Sequence, residues 1–129
     1  MSAPKARLHI PAPTGFGPLP FSNGVFVGDT FYLGGHIGFD PTTKKVPDDL
    51  EREIRFLMES IQHTLAEAGL TLQDLVSVQI FCADVSLFDR FNAVYTTYFR
   101  EPFPARAFLG SGTLLLGAHF EIQAIAAKP

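Results

Sequence analysis

Hydrophobic residues recur at helical spacing in the middle of the chain. Intervals of four, three, one, three and four residues separate Leu50, Ile54, Leu57, Met58, Ile61 and Leu65. This pattern predicts an amphipathic α-helix that buries one face. Asp48 and Glu51 resemble a capping box at its start, and Gly69 indicates its end.

A second helical pattern lies in "SLFDRFNAVYTTYF", residues 86–99. Its aromatic residues fall on one stripe, which consists of Phe88, Phe91, Tyr95 and Tyr98. Ser86 precedes the stripe and is the predicted N-cap. The segment is therefore expected to pack its aromatic side against the rest of the fold.

Strand patterns surround these two helices. "GVFVGDTFYLGGHI" predicts a β-hairpin that turns at Gly28 and Asp29, and Gly34-Gly35 indicates a bulge or a close approach. The remaining predicted strands are residues 75–85, Ala105–Ser111, His119–Ala127 and a short edge strand at Arg7–Ile10. The order is roughly ββαβαβ, which favours an α+β fold in a single domain spanning residues 1–129.

The two faces of the predicted strands differ in character. The helix-packing face of residues 75–85 consists of Val76, Val78, Ile80 and Cys82. The same face of the last strand consists of Phe120, Ile122, Ala124 and Ala126. The opposite face, with His119, Glu121, Gln123 and Ile125, is too polar for a core and too apolar for plain solvent. We therefore expect a homo-oligomer with clefts where the subunits meet.

Composition narrows the class of protein. The net charge is −3, and the ten basic residues are scattered, which argues against nucleic acid as a partner. The one cysteine, Cys82, forms no intramolecular disulfide and fits a reducing compartment. No apolar run is long enough for a membrane span or a signal peptide, so a cytoplasmic protein with no membrane partner is expected.

Two charged residues interrupt apolar strands and are the candidates for chemistry. Arg106 lies in "EPFPARAFLG" and Glu121 in "HFEIQAIAA". They could form a buried salt bridge with each other or with a loop acid. Alternatively, Arg106 binds the carboxylate of a small molecule through its planar fork, and Glu121 moves a proton or orients a water. The four histidines lack metal-ligand spacing, so no metal is predicted.

Several segments together resemble the Rid (YjgF) family of reactive-imine deaminases. They are "PFSNGV", "FYLGGHIGFDPTTKKVP", "FNAVYTTYF", "FPAR" and "FEIQAIA", which occur in the family's order from about Pro18 to Ala126. The resemblance implies a chorismate-mutase-like α+β fold with two helices on one face of a mixed sheet. It also implies a homotrimer with the sheets inside and three clefts between subunits.

The resemblance further implies an activity. Active members hydrolyse 2-imino acids or their enamine tautomers to 2-keto acids and ammonia, without metal or organic cofactor. On this reading Arg106 binds the substrate carboxylate, Glu121 directs the water, and Asn92 lies near the cleft. The other implied pocket positions are Phe21, Gly35, His36 and Ala107.

The chain also departs from the family's usual motifs. Phe21 replaces a tyrosine, Gly34 a serine and His36 an amide, whereas Gln123 stands where a second glutamate is common. These changes leave two alternatives open. The protein could be a non-catalytic trimer that binds a small carboxylate, or a deaminase of a pathway-specific enamine of the aminoacrylate or aminomuconate type. Ribonuclease or chaperone activity is disfavoured because the chain is acidic.

Overall fold

The computed structural model describes residues 6–129, so residues 1–5 of the expected domain lie outside the described part. Six strands and two α-helices follow one another along the chain. They are β1 (Arg7–Pro11), β2 (Ser22–Val27), β3 (Thr30–Ile37), α1 (Leu50–Glu67), β4 (Leu75–Cys82), α2 (Phe88–Tyr95), β5 (Ala105–Gly110) and β6 (Phe120–Ala127). The expected α+β element order is confirmed, with β1 as the short edge strand.

The strands form one mixed sheet in the order β1-β2-β3-β6-β4-β5. Only β4 and β5 run parallel, and the other neighbouring pairs are antiparallel. The parallel pair arises because α2 lies between β4 and β5 in the chain and returns β5 to the sheet edge. The sheet therefore ends in β5, the strand that carries Arg106.

The core lies between the sheet and the two helices. The helical stripe of α1 is buried as expected, and it packs against buried residues of β3, β4 and β6. The alternation predicted for the last strand is also confirmed, since the side chains of Phe120, Ile122, Ala124 and Ala126 are buried. The other face of the sheet is open, with Tyr32 half exposed on it.

The helix caps differ from those expected. The carboxylate of Asp49, not Asp48, accepts the backbone N–H of Arg52 at 3.1 Å and caps α1. Similarly, Asp84 accepts the N–H of Ser86 at 3.0 Å and caps the 3₁₀ turn that precedes α2. The prediction of Ser86 as the N-cap was therefore wrong. Each aspartate has an extended backbone that aims its carboxylate at the free N–H groups of the first turn. The aromatic segment is also broken, with 3₁₀ turns before and after α2.

Two strand details were also predicted wrongly. Val76 is 50% exposed, because the pairing of β4 with β6 shifts register there and Leu75 takes the buried position. His119 precedes β6, and its ring turns toward α1, where Nδ1 lies 2.7 Å from Oε1 of Glu53. The bulge expected at Gly34-Gly35 is confirmed, since the register of β3 with β6 shifts between Leu33 and His36.

Candidate active site

Arg106 lies on the edge strand β5 and is half-buried rather than enclosed. It pairs with the buried Val78 in the parallel ladder, so its side chain points to the helix side of the sheet. There Nη1 donates to Oδ1 of Asn92 on α2 at 2.7 Å. The structure thus brings two of the expected site residues, Asn92 and Arg106, together, and the amide fixes one edge of the guanidinium.

Aromatic rings surround the rest of the guanidinium. Its carbon lies 4.9 Å from the ring centre of Tyr95, 5.5 Å from that of Phe88 and 5.8 Å from that of Phe108. Such rings attract the cation without neutralising it. Burial raises the pKa of Tyr95, and the charge of Arg106 partly opposes this rise. The ring cluster was not predicted, although the stripe of α2 and the alternation of β5 place these residues on one side.

The salt-bridge interpretation of Arg106 is wrong for the part of the chain that the structure describes. The ion pairs within residues 6–129 join His63 to Glu67 and His119 to Glu53. Arg106 thus forms no ion pair among the described residues, and the amide and the three rings that hold it are neutral. A guanidinium held in this way is available to an anion that arrives from outside the protomer.

Glu121 occupies the opposite face of the sheet, in the middle of three strands. It pairs with Ile37 of β3 on one side and with Phe81 of β4 on the other. A Cβ at position 35 would lie only 2.5 Å from Oε2 of Glu121, so the absence of a side chain at Gly35 makes room for the carboxylate. Burial of the carboxylate raises the pKa of Glu121.

A cavity of about 230 Å³ opens beside this carboxylate. Phe21, Gly35, His36 and Glu121 line it together, so four of the expected site residues share one pocket. Ala107 is not among its lining residues. Ala107 lies on β5, pairs with Gln79 of β4, and is half-buried at the sheet edge.

His36 is buried, and both of its ring nitrogens are occupied. Nδ1 lies 2.7 Å from the carbonyl oxygen of Gly34, and Nε2 lies 2.9 Å from the hydroxyl of Thr64. Because a carbonyl only accepts, Nδ1 carries the proton and Nε2 accepts from Thr64. Burial lowers the pKa of His36, which favours this neutral form. The ring thus ties β3 to α1.

The structure does not bring Arg106 and Glu121 together within one protomer. Arg106 aligns with Val78 and Glu121 with Phe81, three residues further along β4, and the two side chains point to opposite faces of the sheet. Along a strand three residues span about 10 Å. A ligand that touches both groups must therefore draw them from different copies of the chain.

A metal site, a reactive thiol and a membrane span have less support in residues 6–129. The described residues contain no cluster of three or more His, Cys, Asp or Glu side chains that could hold a metal ion. The thiol of Cys82 is buried, donates to the carbonyl oxygen of Asp84 at 2.9 Å, and has a pKa raised chiefly by burial. None of the helices within this range has the length and apolar character needed to cross a membrane.

Known proteins share both the sequence and the fold. The family model described as Endoribonuclease L-PSP matches residues 13–128. A RutC family protein of Sulfurisphaera tokodaii is 34% identical over 119 residues, which cover 92% of each chain. The 2-iminobutanoate/2-iminopropanoate deaminase of Bos taurus is 35% identical over 118 residues, covering 91% of this chain and 85% of that protein. The solved structure of E. coli TdcF with bound serine has a TM-score of 0.82 and 29% identity, covering 92% of this chain and 94% of that one.

The sheet order and the two helices on one face define a chorismate-mutase-like, YjgF-type α+β protein. Within that class, the match over residues 13–128 settles the family. The chain belongs to the Endoribonuclease L-PSP family, which is the Rid (YjgF) family that its motifs resemble. Relatives in this family include proteins named as imine deaminases.

Proposed function

We propose that this protein hydrolyses 2-imino acids to 2-keto acids and ammonia. The observation that carries the proposal is the Arg106 guanidinium, which is held by an amide and three aromatic rings and has no acidic partner among the described residues. Such a cation binds a substrate carboxylate through two parallel hydrogen bonds. The imine carbon next to that carboxylate is thereby fixed in place.

Glu121 supplies the proton chemistry in this proposal. Its carboxylate accepts a proton from water as the oxygen attacks the imine carbon, and the C=N double bond becomes a C–N single bond. That proton then passes to the nitrogen and gives a carbinolamine. The hydroxyl proton follows to the same nitrogen by way of the Glu121 carboxylate, the C–N bond breaks, and ammonia leaves as the carbonyl forms. The balance is one imino acid and one water in, one keto acid and one ammonia out. No metal or organic cofactor takes part in these steps.

The enamine tautomer fits the same site. It becomes an imine when its β-carbon gains a proton, and a carboxyl whose pKa is raised holds that proton more readily than an ordinary glutamate. Phe21 offers no hydroxyl where the family usually has a tyrosine, so the proposal assigns the proton to Glu121.

The active assembly in this proposal is a homotrimer with sites between subunits. The opposite placement of Arg106 and Glu121 supports shared sites, because neither face of one protomer offers both groups. The open sheet face, with half-exposed Tyr32, supports its burial against other copies. We place the reaction in the cytoplasm, where Cys82 remains a thiol.

The test is keto-acid release from freshly generated 2-iminobutanoate, with semicarbazide as the competing trap. The wild type is expected to suppress semicarbazone formation, whereas Arg106→Ala loses at least about 100-fold in kcat/KM. Because Arg106 lies on an edge strand, Arg106→Ala is expected to fold normally by circular dichroism. A folded wild type that binds keto acids but turns over no imine would instead favour the non-catalytic carboxylate binder.

A further inference from the structure

We infer that the cavity beside Glu121 receives a large apolar side chain of the substrate, branched aliphatic or benzyl, with Leu115 and Leu116 as the residues that select it. The inference rests on the proposed function and specifies its substrate class. It starts from the loop between β5 and β6, where "TLLLGA" places three leucines in a row. Leu115 is 73% exposed and Leu116 56% exposed, and both line the cavity.

The cavity walls are mostly apolar. Phe16, Leu19, Phe21 and Phe39 line it together with the two leucines. Among its polar lining groups, His36 has both ring nitrogens bonded within the protomer. Asn23, Ser60 and Glu121 are the other polar lining residues. The apolar walls offer hydrophobic contact, and burial of an apolar group against them removes both surfaces from water.

The cavity is also large enough for such a group. An apolar cavity of roughly 150 Å³ accepts benzene, and this one measures about 230 Å³. A methyl or ethyl side chain would leave most of that space unfilled. Each methylene that a longer side chain buries is worth about fourfold in binding.

The backbone of the loop indicates that the leucines act through their side chains. Leu116 has φ 55° and ψ 22°, the left-handed conformation, and Gly117 follows with φ 70°. A leucine is strained in this conformation, while glycine or asparagine would make the same turn with less strain. The fold thus holds an apolar side chain at the cavity mouth despite an unfavourable conformation.

The geometry of an imino acid directs its side chain to this wall. The imine carbon is planar and carries the nitrogen, the carboxylate and the side chain. Glu121 lies on the cavity wall, so a carbon attacked by a Glu121-bound water lies at the cavity mouth. The carboxylate points toward an Arg106 of a neighbouring copy, because Arg106 of the same protomer lies on the other sheet face. The side chain is left to point into the protomer's own cavity.

The experiment compares imino acids that an amino-acid oxidase generates from leucine, phenylalanine, alanine and 2-aminobutyrate. The wild type is expected to favour the two large substrates by at least about tenfold in kcat/KM. Leu116→Asn suits the left-handed backbone and so preserves the fold, and it is expected to reduce that preference about tenfold. Leu115→Ser is expected to act in the same direction. Both variants should lower kcat/KM for the two large substrates more than for the two small ones.

Leu8→Ser is the matched control, since Leu8 is an exposed leucine on β1 that does not line the cavity. It should leave the preference unchanged. Calorimetric binding of 4-methyl-2-oxopentanoate and pyruvate gives a second readout, with the larger keto acid binding at least about tenfold more tightly to wild type. A wild type that prefers small substrates, or a Leu116→Asn variant whose effect is a change of oligomeric state in light scattering, would overturn the inference.

The two proposals fail differently. If no imino acid of either size is hydrolysed, the proposed function fails. Binding of the two keto acids still tests whether Leu115 and Leu116 select a large apolar side chain. If small and large imino acids are hydrolysed equally well, the deaminase proposal stands and the selection by Leu115 and Leu116 is wrong.

Discussion

The charge of Arg106 depends on neighbours that hold it without cancelling it. Asn92 contributes a neutral oxygen at 2.7 Å, and the rings of Tyr95, Phe88 and Phe108 contribute polarisable faces. A carboxylate at any of these positions would occupy the guanidinium and compete with a ligand. The uncharged surroundings therefore leave the guanidinium free for the anion of the proposed function.

In the proposed function Asn92 positions the guanidinium of Arg106, and two variants test this role. Asn92→Ala frees the guanidinium and is expected to raise KM about tenfold, with a smaller effect on kcat. Asn92→Asp places a carboxylate against Arg106 and should weaken binding further, because the substrate must displace an internal ion pair. Steady-state kinetics on the same imino acid measures both. An Asn92→Asp enzyme that binds better than Asn92→Ala would contradict this role.

Glu121 predicts a pH dependence of catalysis. Burial raises its pKa, and only the ionised form accepts a proton from water. The acid limb of kcat/KM should therefore lie above the value near 4.3 of an ordinary glutamate. A pH profile corrected for uncatalysed imine hydrolysis measures this limb, and Glu121→Gln should lack it. A wild-type limb at or below the ordinary value would rule out Glu121 as the base.

The same shift has a consequence for stability. A raised pKa means that the folded protein holds the proton more tightly than the unfolded chain does. The extra stability that this proton gives the folded protein is fully present below the pKa that Glu121 has in the unfolded chain. It is lost as the pH rises through the pKa that Glu121 has in the folded protein. Glu121→Gln is accordingly expected to unfold at a higher temperature than wild type at neutral pH, although it loses activity.

At the scale of elements, one buried glutamate joins α1 to β6. Glu53 is fully buried, and its Oε2 accepts the N–H groups of His119 at 2.7 Å and Phe120 at 3.3 Å. Nearby, a Cβ at Gly38 would collide with the carbonyl oxygen of Glu53, so β3 and α1 approach closely there. These contacts fix the start of the strand that carries Glu121.

Glu53→Ala is therefore expected to lower the free energy of unfolding by about 3 kcal/mol, because it leaves buried N–H groups without acceptors. Urea denaturation measures the change. Glu59→Ala is the control, since Glu59 is an exposed glutamate on the same helix and should change stability by less than about 0.5 kcal/mol. Equal effects of the two substitutions would show that the Glu53 contacts do not stabilise the fold.

At the scale of the whole molecule, the two candidate catalytic groups lie on opposite faces of the sheet. If sites form between copies, a mixed oligomer can contain one intact site even when each chain is defective. Arg106→Ala and Glu121→Ala should each be inactive alone. Mixing them under conditions that exchange subunits is expected to restore up to about a quarter of wild-type activity per site.

Light scattering of the same samples checks the expected trimer and the exchange. A mixture that exchanges subunits yet stays inactive would mean that Arg106 and Glu121 act within one chain. That outcome would require a rearrangement of the sheet edge, because β5 holds Arg106 on the helix side in this structure.

The sequence by itself determined the helices, most strand positions and the candidate residues. Periodicity is sufficient to predict α1, because its apolar residues all lie on one face of the helix and that face must be buried. The motifs around Arg106 and Glu121 are sufficient to recognise the family. The cap of α1 was not predicted correctly, because the sequence does not specify which of two adjacent aspartates, Asp48 or Asp49, directs its carboxylate at the first turn. His119 also escaped it, because its partner Glu53 is 66 residues away in the chain.

Only the tertiary structure decided how the candidate residues relate in space. The faces of Arg106 and Glu121 follow from the registers of β5 and β6 on β4, and register depends on how the whole sheet packs against its helices. The aromatic rings around Arg106 come from separate segments of the chain, and so do Leu115, Leu116 and Glu121, which line one cavity. Local patterns specify which residues are buried, whereas contacts between distant segments specify which of them meet.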